Sequence, residues 1–257
     1  MFTKYKTIPK HFMNVLKKYS KHKTVLLLIL VFGKVNSQSY SQTNNTIYDW
    51  YDSKIGRENL DLNNGRIFLN NDNPVTNNSR FFNDTFVYGS IKYNNQNYNN
   101  IFLNYDTFED NIMTKVNGEN DKTTIILIKQ KIESFSYLNK NFINFDYYDL
   151  NKVSNMNGFY EEKMVNTTFT LYIKHTKNSV DKIIVDKIFH EFIPKSTYFL
   201  KYENKYYNIN SKRNIIALFP ENKKSINEFY SNNRTIEEFD KTKFLEQLFI
   251  SLNSQNK

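Results

Sequence analysis

Short segments rich in β-branched and aromatic residues, separated by asparagine-rich turns, most constrain the fold of this chain. Residues 85–93 and 98–105 form one such pair on either side of Asn94-Asn95-Gln96-Asn97. Strand side chains alternate between two faces, and asparagine tolerates the positive φ that a tight hairpin turn requires. The pattern therefore predicts an antiparallel hairpin over residues 85–105.

The same pattern recurs along the chain and predicts further strands. The segments are 112–116, 123–128, 131–138 and 142–145, and, after Asn157-Gly158, 159–165, 168–175, 197–202 and 206–209. Each is short and bounded by polar turn residues. We predict a mainly β fold, an antiparallel meander that forms a curved sheet or a sandwich.

Residues 182–192 fit two interpretations. Ile184, Val185, Ile188, Phe189 and Phe192 have a spacing that suits a helix as well as a strand. Because the neighbouring segments alternate, we predict a strand, and the helix remains the alternative.

The periodicity changes to 3.6 beyond Ser211. Ser211 is placed to cap a helix, and the last segment has an apolar stripe of Phe244, Leu245, Leu248, Phe249 and Leu252. We predict two to three short helices over residues 211–253 that cover one face or one end of the sheet. The fold class is then α+β overall.

The N-terminal residues have the order of a secretory signal peptide. Four lysines at positions 17, 18, 21 and 23 precede the apolar run 25–32, and Val35-Asn36-Ser37 places small residues before Gln38. A spanning helix needs about 20 apolar residues, so this run is too short to be one. We predict a signal peptide over residues 1–37 with Met13 as the true start, followed by one exported β-rich domain, residues 38–257, in the periplasm or at the cell surface.

Charge and cysteine content exclude several classes of function. Eight of the 35 basic side chains and none of the 26 acidic ones lie in residues 1–37, so residues 38–257 carry 27 basic and 26 acidic side chains. This near balance argues against a nucleic-acid partner. The chain has no cysteine, so it forms no disulfide and has no lipid-modified cysteine.

The arrangement of strands and turns resembles that of uncharacterised exported β-rich proteins of Bacteroidetes. The resemblance rests on residues 88–98 and 103–106, and later on 198–202, 206–212 and Leu218-Phe219-Pro220. It extends over most of residues 38–257. It implies a β-rich fold and export, and it implies no reaction.

The motifs of common catalytic sites are missing from the sequence. There is no glycine-rich phosphate loop and no G-x-S-x-G motif, and Pro194 stands where a zinc protease that begins with His190-Glu191 would need its second histidine. We therefore expect no cofactor, and the absence of a catalytic constellation favours a protein that is not an enzyme.

Three sets of residues are candidates for a site. His175 and His190 could meet across neighbouring strands and bind a metal with Glu191 or Asp186, although unligated strand histidines are commoner. Asp106, Glu109 and Asp110 could hold Ca²⁺ or act as an acid/base pair, but the favoured interpretation is a solvated turn. Trp50, with Tyr48 and Tyr51, could form an exposed aromatic platform, although a lone Trp usually packs on its domain.

Three functional hypotheses follow. The first is a non-enzymatic binding or structural module of the envelope, whose partner is another envelope protein, a glycan or a lipid. The second is a periplasmic carrier of an apolar ligand, similar to lipoprotein carriers, enclosed by a curved sheet and the C-terminal helices. The third is a hydrolase that uses scattered carboxylates or His175 and His190.

Overall fold

The structure is a computed structural model, in which four continuous stretches are described. They are residues 60–69, 79–115, 118–148 and 156–255, and positions 50, 54, 56, 74 and 75 are described as well. All of them belong to one compact unit, Ile47–Lys257. The predicted signal peptide and its cleavage site lie outside the described residues.

The described chain forms a single antiparallel sheet of eleven strands. The strands are β1 Arg66–Ile67, β2 Val87–Tyr93, β3 Gln96–Asp106, β4 Asn111–Lys115, β5 Thr124–Ile126, β6 Ile132–Tyr137, β7 Lys140–Asn144, β8 Phe159–Met164, β9 Thr170–Ile184, β10 Lys187–Tyr202 and β11 Lys205–Asn208. Their order in the sheet is β1-β5-β4-β3-β2-β6-β7-β8-β9-β10-β11. This confirms the predicted mainly β, antiparallel fold, in the form of an open curved sheet.

Tight turns join many neighbouring strands. The turn Asn94-Asn95 between β2 and β3 has φ values of 51° and 64°. Both central residues of a type I′ turn have positive φ, and its twist matches that of the flanking strands. The hairpin predicted from the asparagine run is thus confirmed.

Residues 182–192 are extended, as predicted, but they do not form one strand. The chain turns at Val185-Asp186, where φ is 48° and 60°, so β9 ends at Ile184 and β10 begins at Lys187. The predicted segments 168–175 and 197–202 correspond to the ends of these two long strands that pair with the rest of the sheet. The turn was missed because valine at a left-handed position gives no turn signal in the sequence.

The sheet curves strongly enough to bring β3 close to β9. Four strands separate these two in the sheet order, which corresponds to roughly 24 Å across a flat sheet. Nevertheless, the backbone N of Lys177 in β9 donates to the carbonyl of Thr107, just after β3, at 3.3 Å. The inner face of this curve is filled with aromatic side chains.

Four helices follow the sheet in the described part of the chain. They are α1 Lys212–Leu218, α2 Lys223–Asn232, α3 Arg234–Phe239 and α4 Lys241–Gln255. The Ser211 hydroxyl accepts a hydrogen bond from the backbone N of Asn214 and caps α1 as expected.

The helices bury the predicted apolar stripe against the inner face of the sheet. Phe244, Leu245, Leu248 and Phe249 are fully buried and pack with Leu171 and Leu200 of the sheet. The helical cap predicted from the 3.6-residue period is therefore confirmed. None of the described helices has the length and apolar character needed to cross a membrane.

Candidate functional site

A two-stranded ribbon extends beyond the rest of the sheet. β9 and β10 pair over almost their whole length, whereas β8 pairs with β9 only as far as Ile173 and β11 pairs with β10 only from Phe199. Residues 174–198 are therefore flanked by neither β8 nor β11. The part of this ribbon beyond the contact of Lys177 with Thr107, residues 178–193, is called the arm.

The base of the arm is fixed to the sheet. Phe192 is 2% exposed, and its ring centroid lies 5.2 Å from that of Phe108. Just below it, the Lys177 ammonium donates to the carbonyls of Ser79 and Phe81, each at 2.6 Å. Burial lowers the pKa of Lys177. The carboxylates of Asp84 and Asp106 only partly oppose this effect, so the pKa is lowered overall. These contacts hold the arm in a defined direction.

The outer part of the arm exposes aliphatic side chains. Ile183 is 78% exposed and Val185 is 88% exposed. Further exposed members are Val180, Ile184, Ile188 and Ile193. Isolated exposed aliphatic residues are normal on a protein surface, but six within sixteen residues form an unusual cluster, of the kind that interaction surfaces have.

The turn at the tip of the arm reinforces this interpretation. Val185 has a φ of 48°, a left-handed conformation that is unfavourable for a β-branched side chain. Asparagine or glycine would stabilise the turn better. Neither burial nor turn geometry therefore explains a valine at this position.

Two contacts between polar side chains cross from one strand of the arm to the other. Lys182 and Glu191 approach to 2.6 Å, and the Asp181 carboxylate lies 3.0 Å from Nδ1 of His190. The outer edge of β9 over residues 178–184 has no strand partner among the described residues. On the β10 edge, the backbone N of Val75 donates to the carbonyl of His190 at 2.9 Å. The β9 edge is thus the one at which an extended segment could add.

The structure does not bring the two predicted metal-binding histidines together. His175 lies opposite Ser196 and His190 lies opposite Asp181, six residues farther along the same strand pair. This separation corresponds to roughly 20 Å. Nε2 of His175 instead contacts the Glu161 carboxylate at 2.8 Å, and Glu191 pairs with Lys182. The structure therefore does not join His175, His190 and Glu191 in one site, and the described residues contain no group of three or more potential ligands.

A chain of side-chain contacts joins Ser196, His175 and Glu161, and the sequence analysis did not predict it. The Ser196 hydroxyl lies 3.4 Å from Nδ1 of His175, and the Glu161 carboxylate contacts Nε2. In serine proteases Nε2 faces the serine and Nδ1 faces the carboxylate, so the ring of His175 has the opposite orientation. Glu161 also pairs with Lys140 at 2.7 Å. Burial raises the pKa of Glu161, but hydrogen bonds and charge from His175 and Lys140 outweigh it, so the net pKa is lowered. We interpret the chain as a structural link, and the hydrolase hypothesis stays a prediction.

Two of the three acidic residues after β3, Asp106 and Asp110, are buried or half-buried, which corrects the prediction that they are solvated, whereas Glu109 is exposed as predicted. Asp106 is 1% exposed and pairs with Arg80 at 2.7 Å. Asp110 accepts from the Tyr105 hydroxyl at 2.6 Å and pairs with Lys129 at 2.5 Å. These two carboxylates are covered because the curved sheet brings β9 close to the end of β3. Local sequence patterns do not show such tertiary contacts, so the sequence could not predict this burial.

The aromatic platform at Trp50 stays a prediction. Trp50 is 61% exposed. Tyr48 and Tyr51, the other predicted members, lie outside the described residues.

The interior of the curved sheet is occupied by side chains. Phe135 and Phe142 stack with their centroids 4.5 Å apart, and Tyr105 and Phe159 pack around them. Under the helices, Leu171, Leu200 and Leu248 are likewise fully buried. An apolar ligand could enter only if these side chains moved, so the carrier hypothesis stays a prediction and the arm is the better candidate site.

Comparison with known proteins adds no further constraint on the site. No family model, curated protein or solved structure matches this chain. The functional argument therefore depends on the geometry of the described residues.

Proposed function

We propose that this chain is an exported, non-enzymatic binding module of the cell envelope, and that its arm binds an extended segment of another envelope protein. The observation that carries the proposal is the cluster of six exposed aliphatic side chains on the arm. Export rests on the signal-peptide pattern of residues 1–37.

The chemistry of the arm favours a protein over a lipid as the occupant. A strand edge presents backbone N–H and C=O groups that need hydrogen-bond partners, and lipid tails provide none. A polypeptide added along the β9 edge would satisfy those groups while its side chains contact Val180, Ile183 and Ile184. We therefore expect the partner to contribute a strand rich in aliphatic residues.

Native mass spectrometry of the protein recovered from envelope fractions tests the binding role. We expect a second polypeptide in fixed stoichiometry with the wild-type chain. The double variant Ile183→Ser/Ile188→Ser should lose it, because both side chains are more than half exposed and do not support the fold. Lys224→Ser is the matched control, since this side chain is 91% exposed on α2, away from the arm.

Two results would contradict this proposal. One is a bare monomer in the wild-type sample, and the other is a partner that the double variant retains. The intact mass of the recovered chain tests export separately, because cleavage after Ser37 predicts a chain that begins at Gln38.

A further inference from the structure

A second surface, on the outer face of the sheet, has the properties of a small-molecule site. It is an open groove of about 340 Å³ between the start of β2 and the turn that joins β6 to β7. Binding sites for small molecules usually have volumes of about 300–1,000 Å³. The groove shares no residue with the arm, so its role is independent of the proposed function.

The ring of Tyr88 forms an aromatic part of the groove wall. Tyr88 is 47% exposed, and its ring centroid lies 5.0 Å from that of Phe102, which in turn lies 5.5 Å from that of Phe86. The contact with Phe102 restrains the ring of Tyr88. Ordering this ring on binding would therefore lose little side-chain entropy.

Polar side chains line the groove without hydrogen-bond partners in the described part of the chain. They are Ser90, Asn100 and Asn139. Each amide offers two donors and an acceptor, and the hydroxyl can donate or accept. A ligand with several hydroxyl groups would match this set.

Leu138 provides an apolar contact that the fold itself does not require. It is 40% exposed and has a φ of 51°, at a turn position where asparagine or glycine would be favoured. Neither burial nor backbone conformation explains a leucine there. Its place in the groove wall does.

The absence of charged side chains from the groove lining restricts the class of ligand that it can bind. Every residue that lines it is neutral, although 24% of the chain is charged. Lys115 contacts the aromatic rings, 5.3 Å from the centroid of Phe86, but is not among the lining residues. A phosphate-bearing or otherwise strongly anionic ligand would need basic groups in the lining.

We propose that this groove binds a neutral saccharide. The apolar C–H face of a sugar ring packs on the ring of Tyr88 and against Leu138, while the sugar hydroxyls exchange hydrogen bonds with Asn100, Asn139 and Ser90. The ligand class is a neutral glycan chain, of which the groove contacts one segment.

Affinity electrophoresis of residues 38–257 in gels that contain single polysaccharides tests the assignment. The probes are soluble neutral glucans, mannans, xylans and galactans, with polygalacturonate as the anionic comparison. We expect at least one neutral polysaccharide to retard the wild-type chain, and polygalacturonate to leave it unaffected. Tyr88→Ala should weaken the retardation at least tenfold, and Asn139→Asp should weaken it also, because it adds a charge without changing the shape of the side chain.

Two control variants keep the test specific. Tyr148→Ala removes a tyrosine that is 42% exposed outside the groove, and the arm variant Ile183→Ser/Ile188→Ser leaves the groove intact. Both should bind as the wild type does. No retardation by any neutral polysaccharide, or full binding by Tyr88→Ala, would overturn the proposal and leave the role of the arm unaffected.

Discussion

Asp110 is a carboxylate that links the end of β3 to β9 across the curved sheet. It follows β3, yet it pairs with Lys174 of β9 at 2.7 Å and with Lys129 at 2.5 Å. Burial raises its pKa, but the two lysine charges and their hydrogen bonds outweigh burial and lower the pKa overall. The ionised form is therefore the one that stabilises the fold.

Replacing Asp110 by asparagine should strongly destabilise the protein. Asp110→Asn removes the carboxylate that pairs directly with Lys129 and Lys174, and breaking a buried pair from one side costs about 3 kcal/mol or more. Urea unfolding at pH 7 measures the loss. The control Glu228→Gln removes an exposed partner of Lys224 and should change the unfolding free energy by less than about 0.5 kcal/mol. A similarly small change for Asp110→Asn would contradict this role.

The unfolding free energy should fall in acid. The pKa values of Asp110 and Glu161 are lowered from ordinary values of 3.8 and 4.5. The unfolded chain therefore binds protons first as pH falls below those values. Stability from these groups is complete above about pH 5 and is lost progressively below it. Asp106 opposes this trend, because burial raises its pKa despite its contact with Arg80.

Urea unfolding of the wild type and of Asp110→Asn between pH 7 and pH 3 checks this prediction. The variant should lose less unfolding free energy than the wild type over that range, because one group with a lowered pKa is gone. Equal losses in the two proteins would show that Asp110 does not contribute to the acid dependence.

At the scale of elements, the arm should be dispensable for folding. A variant in which Asn-Gly replaces residues 180–191 joins Ser179 to Phe192, which already lie opposite each other, by a two-residue hairpin turn. Since the removed aliphatic side chains are exposed, the unfolding free energy should change by less than about 1 kcal/mol, while the envelope partner is lost.

The base of the arm should behave differently from its tip. Phe192→Ala removes a ring that is 2% exposed and should lower the unfolding free energy by about 3 kcal/mol or more. Urea unfolding of both variants measures the contrast. A shortened arm that unfolds as readily as Phe192→Ala would show that the tip supports the fold.

At the scale of the whole molecule, the sheet couples two buried clusters. The aromatic interior includes Phe159 of β8, and the cluster under the helices includes Ile173 of β9. These two strands pair directly, with Glu161 opposite Ile173. We therefore expect the sheet and the helical cap to unfold as one cooperative unit.

Hydrogen exchange of Leu248→Ala tests this coupling. Leu248 is fully buried under the sheet, and its truncation should lower the unfolding free energy by about 2–5 kcal/mol. Amide protection should fall by the same amount in β2–β4 as in β9–β11. The control Ile250→Ala, at a 54% exposed position of the same helix, should change neither the unfolding free energy nor the amide protection. Unchanged protection in β2–β4 would mean that the two clusters unfold separately.

The sequence by itself determined the features that depend on neighbouring residues. Most strands, the turn Asn94-Asn95 and the cap at Ser211 follow from side-chain alternation, from the φ preference of asparagine and from a local hydrogen bond. The apolar stripe of α4 was likewise visible in its periodicity.

Only the tertiary structure decided which of these residues meet and which stay exposed. Asp110 and Lys174 are 64 residues apart and touch because the sheet curves, whereas His175 and His190 are separated by the register of one strand pair. The aliphatic residues of the arm have the composition of a core strand, yet within the described parts of the chain no neighbouring strand or helix covers them. Burial and contact depend on what distant segments pack against a residue, and local pattern does not encode that.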